Sequence, residues 1–245
     1  MVHKKLNTAV IERFKKICSE MIGIDRFNAI QYPQVKLLGR NCYVWDKYII
    51  KSCPEIWNFK TVNEINILNY VNNNFATSQF PELLTYHTVK KRTFLLLNLL
   101  PYKNLKECFY TNKLQSFKLF PSLIESISKD SNVILDNLKR LSIVHRDITP
   151  SNLLFDKNNS KLILIDFEFA TIGGKELTPD NKKSKQELDR VTKNNLGGKY
   201  RKPGDVFSFE SDKYSMDKIM RELKIKSMWQ INQNPLTTVR NMFKI

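Results

Sequence analysis

The chain has 245 residues, enough to bury a substantial core in one large domain or in two small lobes that share a cleft. No run approaches the roughly 20 consecutive apolar residues that cross a bilayer, which excludes a transmembrane protein. The net charge of +16 predicts a polyanionic partner: nucleic acid, an anionic lipid or glycan, or the phosphates of a nucleotide. Codon bias in an AT-rich genome is the alternative explanation for part of the same lysine excess.

The N-terminus and the cysteines indicate an intracellular protein. Residues 1–5 are charged and lead into a mixed polar segment rather than into the apolar core of a signal peptide. The four cysteines lie far apart without a C-x-x-C pair, a pattern that argues against a zinc site and against a disulfide framework. We therefore expect reduced thiols and a cytoplasmic protein.

The N-terminal extension, residues 1–34, is predicted to contain an amphipathic helix over residues 5–22. Val10, Phe14 and Met21 lie on its apolar stripe. We expect this helix to pack against the rest of the protein. The alternative is peripheral contact with a membrane surface.

A three-stranded meander is predicted from Val35 to Cys53, because three mainly apolar runs are separated by two short turns at residues 39–41 and 46–47. Pro54 suits the first position of the helix that follows. Ile65, Leu68 and Val71 give that helix an apolar stripe.

The second half of the chain is predicted to be mainly helical. A buried strand over residues 92–97 ends before Pro101, and a long helix then runs from Leu119 to Leu141. The polar, basic stretch Lys175–Asn195 is predicted to be a mobile loop. A β-rich half thus precedes an α-rich half.

The segment that carries chemistry is His145-Arg146-Asp147 with Asn152, which fits the pattern H-R-D-x-x-x-x-N between a predicted helix and a predicted strand. At this spacing Asp147 can orient the hydroxyl of a phosphate acceptor, while Asn152 reaches a metal ion on the phosphates. Fourteen residues beyond Asn152, the apolar strand Leu162–Ile165 ends in Asp166, a carboxylate suited to magnesium.

Two motifs in this order and at this distance resemble the protein-kinase-like superfamily, from roughly Val35 to Met220. The resemblance implies an α+β, bilobal protein-kinase-like fold. Its β-rich N-lobe would cover residues 35–100, and its mainly helical, shortened C-lobe would cover residues 101–245. Since only 33 residues follow Asp212, we expect a C-lobe truncated after the central helix.

The resemblance also implies how ATP would be bound. Lys51 would hold the α- and β-phosphates and pair with Glu64, with Glu55 as a competing partner. Magnesium, with manganese as an alternative, would be bound by Asn152, Asp166 and Glu168. The Glu168 carboxylate would support either the metal shell or the loop. Further nucleotide contacts are assigned to Gly39, Arg40, Asn98 and Leu100.

Two later segments also resemble kinase elements. Residues 197–203 are similar to the end of an activation segment. Residues 211–216 are similar to the start of the central C-lobe helix, whose Asp212 would brace the catalytic loop.

Three departures from the superfamily pattern concern the phosphates and the acceptor. Gly39 stands alone where a G-x-G-x-x-G loop is expected. Glu168 replaces the glycine of the metal-binding triplet, which is similar to small-molecule kinases of the choline and aminoglycoside type and removes a flexible hinge. Thr149 occupies the position of a catalytic-loop lysine.

The sequence therefore predicts an ATP-dependent kinase with Asp147, Asn152 and Lys51 as catalytic residues and a hydroxyl acceptor. Ser or Thr of a protein is slightly favoured. A sugar hydroxyl of a lipopolysaccharide or capsule, or another small molecule, is the alternative. A pseudokinase scaffold is a rival from another class. A nucleic-acid binder is a third possibility, although the sequence has no recognised motif for it; it would use Lys182, Lys183, Lys185 and the basic residues of Lys199–Lys202.

Overall fold

The computed structural model describes residues 35–39, 42–45, 48–75, 78–110, 121–173, 182–194, 196–204 and 207–233, with residues 16, 19, 20, 175, 177 and 179. Most of the predicted helix over residues 5–22 lies outside the described residues, as does Arg40. Within those ranges, each helix is too short or too polar to span a bilayer.

The described elements are runs of strands separated by helices. The strands are β1 Val35–Gly39, β2 Cys42–Trp45, β3 Tyr48–Lys51, β4 Leu83–Val89, β5 Arg92–Asn98, β6 Lys103–Asn104, β7 Ile143–Val144, β8 Leu153–Asp156, β9 Lys161–Leu164 and β10 Thr171–Ile172. The α-helices are α1 Asn58–Asn74, α2 Pro121–Arg140, α3 Lys182–Asn194 and α4 Phe209–Gln233. Short helical turns lie at Glu55–Trp57, Lys106–Tyr110, Phe167–Phe169 and Gly198–Tyr200.

The chain divides into two compact units. The first contains residues 1–101, 167–170 and 175–192, and the second contains residues 102–166, 171–174 and 193–245. The first unit is built on a sheet and the second is mainly helical, so the chain has the α+β composition that was predicted.

The first unit contains a five-stranded antiparallel sheet in the order β1-β2-β3-β5-β4. Its first three strands are the predicted meander, and Ile50 of β3 pairs with Leu96 of β5 in the core. Strand β4 was not predicted. Two of its side chains, Leu84 and Tyr86, are exposed, so hydrophobicity does not mark its buried face.

Helix α1 begins at Asn58, later than predicted, because Pro54 caps the turn Glu55–Trp57 instead of starting the α-helix. Asn58 fixes this end of the helix to β5. Its Nδ2 donates to Thr93 Oγ1 at 3.2 Å, and its Oδ1 accepts from the backbone N–H of Thr93 at 2.6 Å. The predicted apolar stripe of α1 is buried.

The predicted loop over residues 175–195 is wrong for residues 182–194, which form α3. Ser184 and Leu188, one helical turn apart, are buried, and Ser184 Oγ donates to the carbonyl of Ile56 at 2.7 Å. Leu188 is the single apolar residue of Lys182–Arg190, so the sequence offers too few apolar residues here to indicate a packed helix.

In the second unit, α2 packs against α4 and β9. Ile127, Ile134 and Leu138 of α2 are fully buried. Asp130 on the same helix accepts from the backbone N–H of Leu162 at 2.5 Å. Since β9 leads directly toward Asp166, this bond fixes the strand that delivers the predicted metal ligand.

Candidate active site

The residues of the predicted catalytic loop, 145–152, lie between β7 and β8 in the second unit, and the predicted spacing brings the Asn152 side chain into contact with Asp147. Asn152 Nδ2 donates to both the carbonyl oxygen and Oδ2 of Asp147, each at 2.9 Å. The backbone N–H of Asn152 donates to the carbonyl of Thr149 at 3.0 Å and closes the loop. The side chain of Asp147 is therefore held by a residue five positions later.

Asp212, at the start of α4, braces this loop. Its Oδ2 accepts from the backbone N–H of His145 at 2.5 Å, and its Oδ1 accepts from that of Arg146 at 2.9 Å. Arg146 has a φ of +71°, a conformation that costs a non-glycine residue energy. The carboxylate of Asp212 satisfies the amides of this strained backbone.

Burial controls the protonation of Asp212. Its side chain is 1% exposed, and removal from water raises the pKa of the carboxyl to about 7, from its ordinary value of 3.8. The hydrogen bonds from His145 and Arg146 oppose that shift, since they stabilise the charged form. The brace is thus ionised only toward neutral pH.

His145 links the loop to the residue before Asp166. Its Nδ1 accepts from the backbone N–H of Asp147 at 3.3 Å, which assigns the ring proton to Nε2. Nε2 then donates to the carbonyl of Ile165 at 3.1 Å. The backbone N–H of Ile165 donates to the carbonyl of Asn152 at 2.9 Å. Asp166 follows with a φ of +73°, a second strained residue beside the loop.

Gly197 contacts Asp147, which the resemblance of residues 197–203 to an activation segment does not indicate. Its backbone N–H donates to Asp147 Oδ1 at 2.8 Å. Its φ is +71°, and a Cβ built on it would stand 3.2 Å from the Cβ of Arg201. The pair Gly197-Gly198 is the signal for this turn, but no pattern in the sequence indicates which residue its amide contacts.

In the first unit, β3 and α1 bring together the two residues predicted to act on the phosphates. Lys51 Nζ lies 2.9 Å from Oε1 and 2.7 Å from Oε2 of Glu64. Glu64 is buried and Lys51 is mostly buried, so the pair is little screened by water. The competitor Glu55 lies 3.3 Å from Lys91 in an exposed pair.

The other predicted nucleotide contacts are less completely described. Gly39 ends β1 beside a register shift in its pairing with β2. Asn98 ends β5, and its Nδ2 donates to Glu82 Oε2 at 3.1 Å. Leu100 follows as a half-buried residue. Arg40 lies among the residues that are not described.

The comparison with known families points to the same segment as the geometry. Residues 110–174 match the model of the APH family, described as a phosphotransferase enzyme family. These residues include the catalytic loop and Asp166. The chain is similar to kinase-like phosphotransferases. The predicted resemblance to the protein-kinase-like superfamily is thereby confirmed. No curated protein matches the chain.

The donor set of this phosphotransferase-like segment suits magnesium. Asp166 offers a carboxylate, and Asn152 offers an amide oxygen because its Nδ2 is committed to Asp147. Magnesium prefers hard oxygen ligands of this kind, one or two from the protein and the rest from phosphate and water. No cluster of three or more His, Cys, Asp or Glu suited to a metal occurs among the described residues.

Glu168, the third predicted metal ligand, contacts a lysine. Its Oε1 lies 2.7 Å from Lys60 Nζ, and both side chains are mostly buried. The assignment of Glu168 to the metal stays a prediction from the triplet Asp166-Phe167-Glu168. The structure shows the same carboxylate in an ion pair with Lys60.

Proposed function

We propose that this chain is an ATP- and magnesium-dependent kinase that transfers the γ-phosphoryl group to a hydroxyl. The observation that carries the proposal is the hold of Asn152 on the carboxylate of Asp147 at 2.9 Å, in a loop braced by Asp212. Phosphoryl transfer needs mostly positioning and charge stabilisation from the protein, and a fixed carboxylate suits this task.

Each residue has a distinct role in this proposal. Asp147 accepts the hydrogen bond of the acceptor hydroxyl and aligns its oxygen for in-line attack on the γ-phosphorus. Lys51, held by Glu64, contacts the α- and β-phosphates. Asp166 and Asn152 would hold Mg²⁺. When bound, Mg²⁺ neutralises charge on the phosphates during transfer.

For the acceptor we propose Ser or Thr of a protein first. The supporting feature is the segment that ends at α4, where Ser215 Oγ donates to the carbonyl of Tyr200 at 3.0 Å and Asp212 reaches the catalytic loop. This contact joins residues 197–203, which resemble the end of an activation segment, to α4. Together with the protein-kinase-like motif of residues 211–216, it supports a protein acceptor.

A sugar hydroxyl of an anionic glycan is the second candidate. The backbone amide of Gly197 contacts Asp147, and Lys202, five residues further along, is exposed. A cation in the segment that contacts Asp147 would favour an acceptor that carries negative charge.

The proposal is tested with γ-labelled ATP and Mg²⁺, using the protein alone, generic protein acceptors, and dephosphorylated glycan or lipid fractions. Label on proteins supports the first acceptor, and label on glycans supports the second. Lys51→Met and Asp166→Ala should each lower transfer by about 100-fold or more, because each loses a charge that stabilises the transferred group. Wild type and both variants labelling alike would contradict the assignment.

A melting shift with ATP, present without Mg²⁺ and without ATP consumption, would instead favour a pseudokinase scaffold. Lys91→Met is the matched control for Lys51→Met, since Lys91 is an exposed, ion-paired lysine of the same unit. It should leave both transfer and nucleotide binding unchanged.

A further inference from the structure

The segment Phe167–Ala170, directly after Asp166, is held by helix α1. Asn63 Nδ2 lies within hydrogen-bonding distance of three carbonyl oxygens, at 3.4 Å from Phe167, 3.2 Å from Glu168 and 2.9 Å from Ala170. The backbone N–H of Ala170 donates to the carbonyl of Phe167 at 3.0 Å, which closes the turn. One amide group therefore caps the turn.

Lys60, one helical turn before Asn63, holds the side chains of the same segment. Its Nζ lies 2.7 Å from Glu168 Oε1 and 4.1 Å from the centroid of the Phe169 ring. The same ammonium lies 4.5 Å from the centroid of the Trp57 ring. A mostly buried cation between a carboxylate and two aromatic faces is tightly constrained in position.

The aromatic residues of the segment add packing to these polar contacts. Phe167 is fully buried and meets Phe80 edge-to-face, with ring centroids 5.4 Å apart. Phe169 is also buried. The turn is therefore held by three kinds of contact within the first unit: hydrogen bonds to its backbone carbonyls, the ion pair of Glu168 and the packing of its two phenylalanine rings.

We propose that Lys60, Asn63 and Glu168 form a latch that fixes the turn after Asp166, and that Glu168 is a positioning residue instead of a metal ligand. Asp166 precedes Phe167 in the chain, so a fixed turn restricts the backbone that carries the Asp166 carboxylate. A divalent cation on Glu168 would stand beside the Lys60 ammonium, and like charges at that distance repel. The inference rests on the proposed function, which gives Asp166 its task.

The latch is tested first by a double-mutant cycle of melting temperatures. The measurements are made without nucleotide and with EDTA, so that neither a bound metal nor catalysis affects the melting temperature. Lys60→Met and Glu168→Gln should each lower the melting temperature by roughly 5 °C, because each leaves a buried charge without its partner. The double variant should lose clearly less than the sum of the two. The exposed pair Lys91–Glu55 is the control, and Lys91→Met with Glu55→Gln should show additive, near-zero shifts.

The second readout is the magnesium dependence of phosphoryl transfer. Lys60→Met and Glu168→Gln should lower the maximal rate by similar factors of about 10 to 100. Any rise in the half-saturating Mg²⁺ concentration should be equal for the two variants, because both act on the metal only through the position of Asp166. Lys60→Arg, which keeps the cation, should restore most of that rate and is the variant of choice if Lys60→Met folds poorly.

Two results would overturn the latch: additive melting shifts for Lys60 and Glu168, or a rise of about tenfold in half-saturating Mg²⁺ for Glu168→Gln alone. Absence of transfer by the wild type would refute the proposed function, while the melting cycle would still decide whether the ion pair holds the turn.

Discussion

The carboxylate of Asp147 receives hydrogen bonds from two parts of the chain. Asn152 Nδ2 donates to Oδ2, and the backbone N–H of Gly197 donates to Oδ1 at 2.8 Å. With a donor on each oxygen, rotation of the carboxylate about its own axis is restricted. An oriented carboxylate aligns a hydroxyl better than a rotating one, since alignment contributes much of the rate in phosphoryl transfer.

Gly197→Ala tests this second donor. A Cβ at a φ of +71° is strained and would stand 3.2 Å from the Arg201 Cβ, so the amide must move from Asp147. We expect a loss of about 1–2 kcal/mol in the free energy of unfolding and a drop of about tenfold in transfer rate. The free energy is measured by urea unfolding and the rate by release of γ-phosphate.

Gly198→Ala is the matched control. Gly198 also has a positive φ, of +47°, but a Cβ there meets nothing within 4 Å. Gly198→Ala should lower the free energy of unfolding as Gly197→Ala does, because its backbone is also in the left-handed region. Its transfer rate should stay near that of the wild type. Equal rates for the two variants would show that the Gly197 amide does not matter to Asp147.

At the scale of elements, α4 acts on the catalytic loop through Asp212, and its burial makes the brace sensitive to pH. Its pKa is about 7 in the folded chain against 3.8 ordinarily, so between these values the folded chain binds more protons than the unfolded chain. Stability from this group is therefore lost as pH rises from about 4 to about 7.

Asp212→Asn removes this titration. The variant should be less stable at pH 5 by about 1–3 kcal/mol, because one of the two loop amides then faces an N–H group instead of an oxygen. Its deficit against the wild type should narrow as pH rises from 5 to 8, as followed by melting temperature. Asp189→Asn, on the exposed face of α3, should track the wild type throughout. A deficit that widens with pH would contradict the raised pKa.

The predictable elements are those whose signals are local. Strands β1 to β3 follow from short turns between apolar runs, and the Asn152–Asp147 contact follows from motif spacing. Helix α3 and the Gly197 contact depend on residues distant in sequence: Ser184 bonds Ile56, and Gly197 bonds Asp147. Glu168 shows the same limit, since its motif indicates either the metal shell or the loop, whereas its contact with Lys60 requires the fold.

At the scale of the whole molecule, the charge of +16 fits a protein that handles phosphates, and several of its lysines already have a carboxylate partner. Lys51, Lys60 and Lys199 pair with Glu64, Glu168 and Glu222. Each such pair contributes nothing to the net charge, so the +16 comes from lysines and arginines beyond these pairs. Site chemistry is a better guide to function here than the net charge.

The most direct test of the phosphotransferase assignment is the rate of γ-phosphoryl transfer from ATP by Asp147→Asn, measured beside the wild type and Asp189→Asn. The asparagine keeps the size of the side chain and removes the charge that orients the acceptor. We predict a loss of about 100- to 10,000-fold for Asp147→Asn and wild-type transfer for Asp189→Asn. Wild-type transfer by Asp147→Asn would contradict the account.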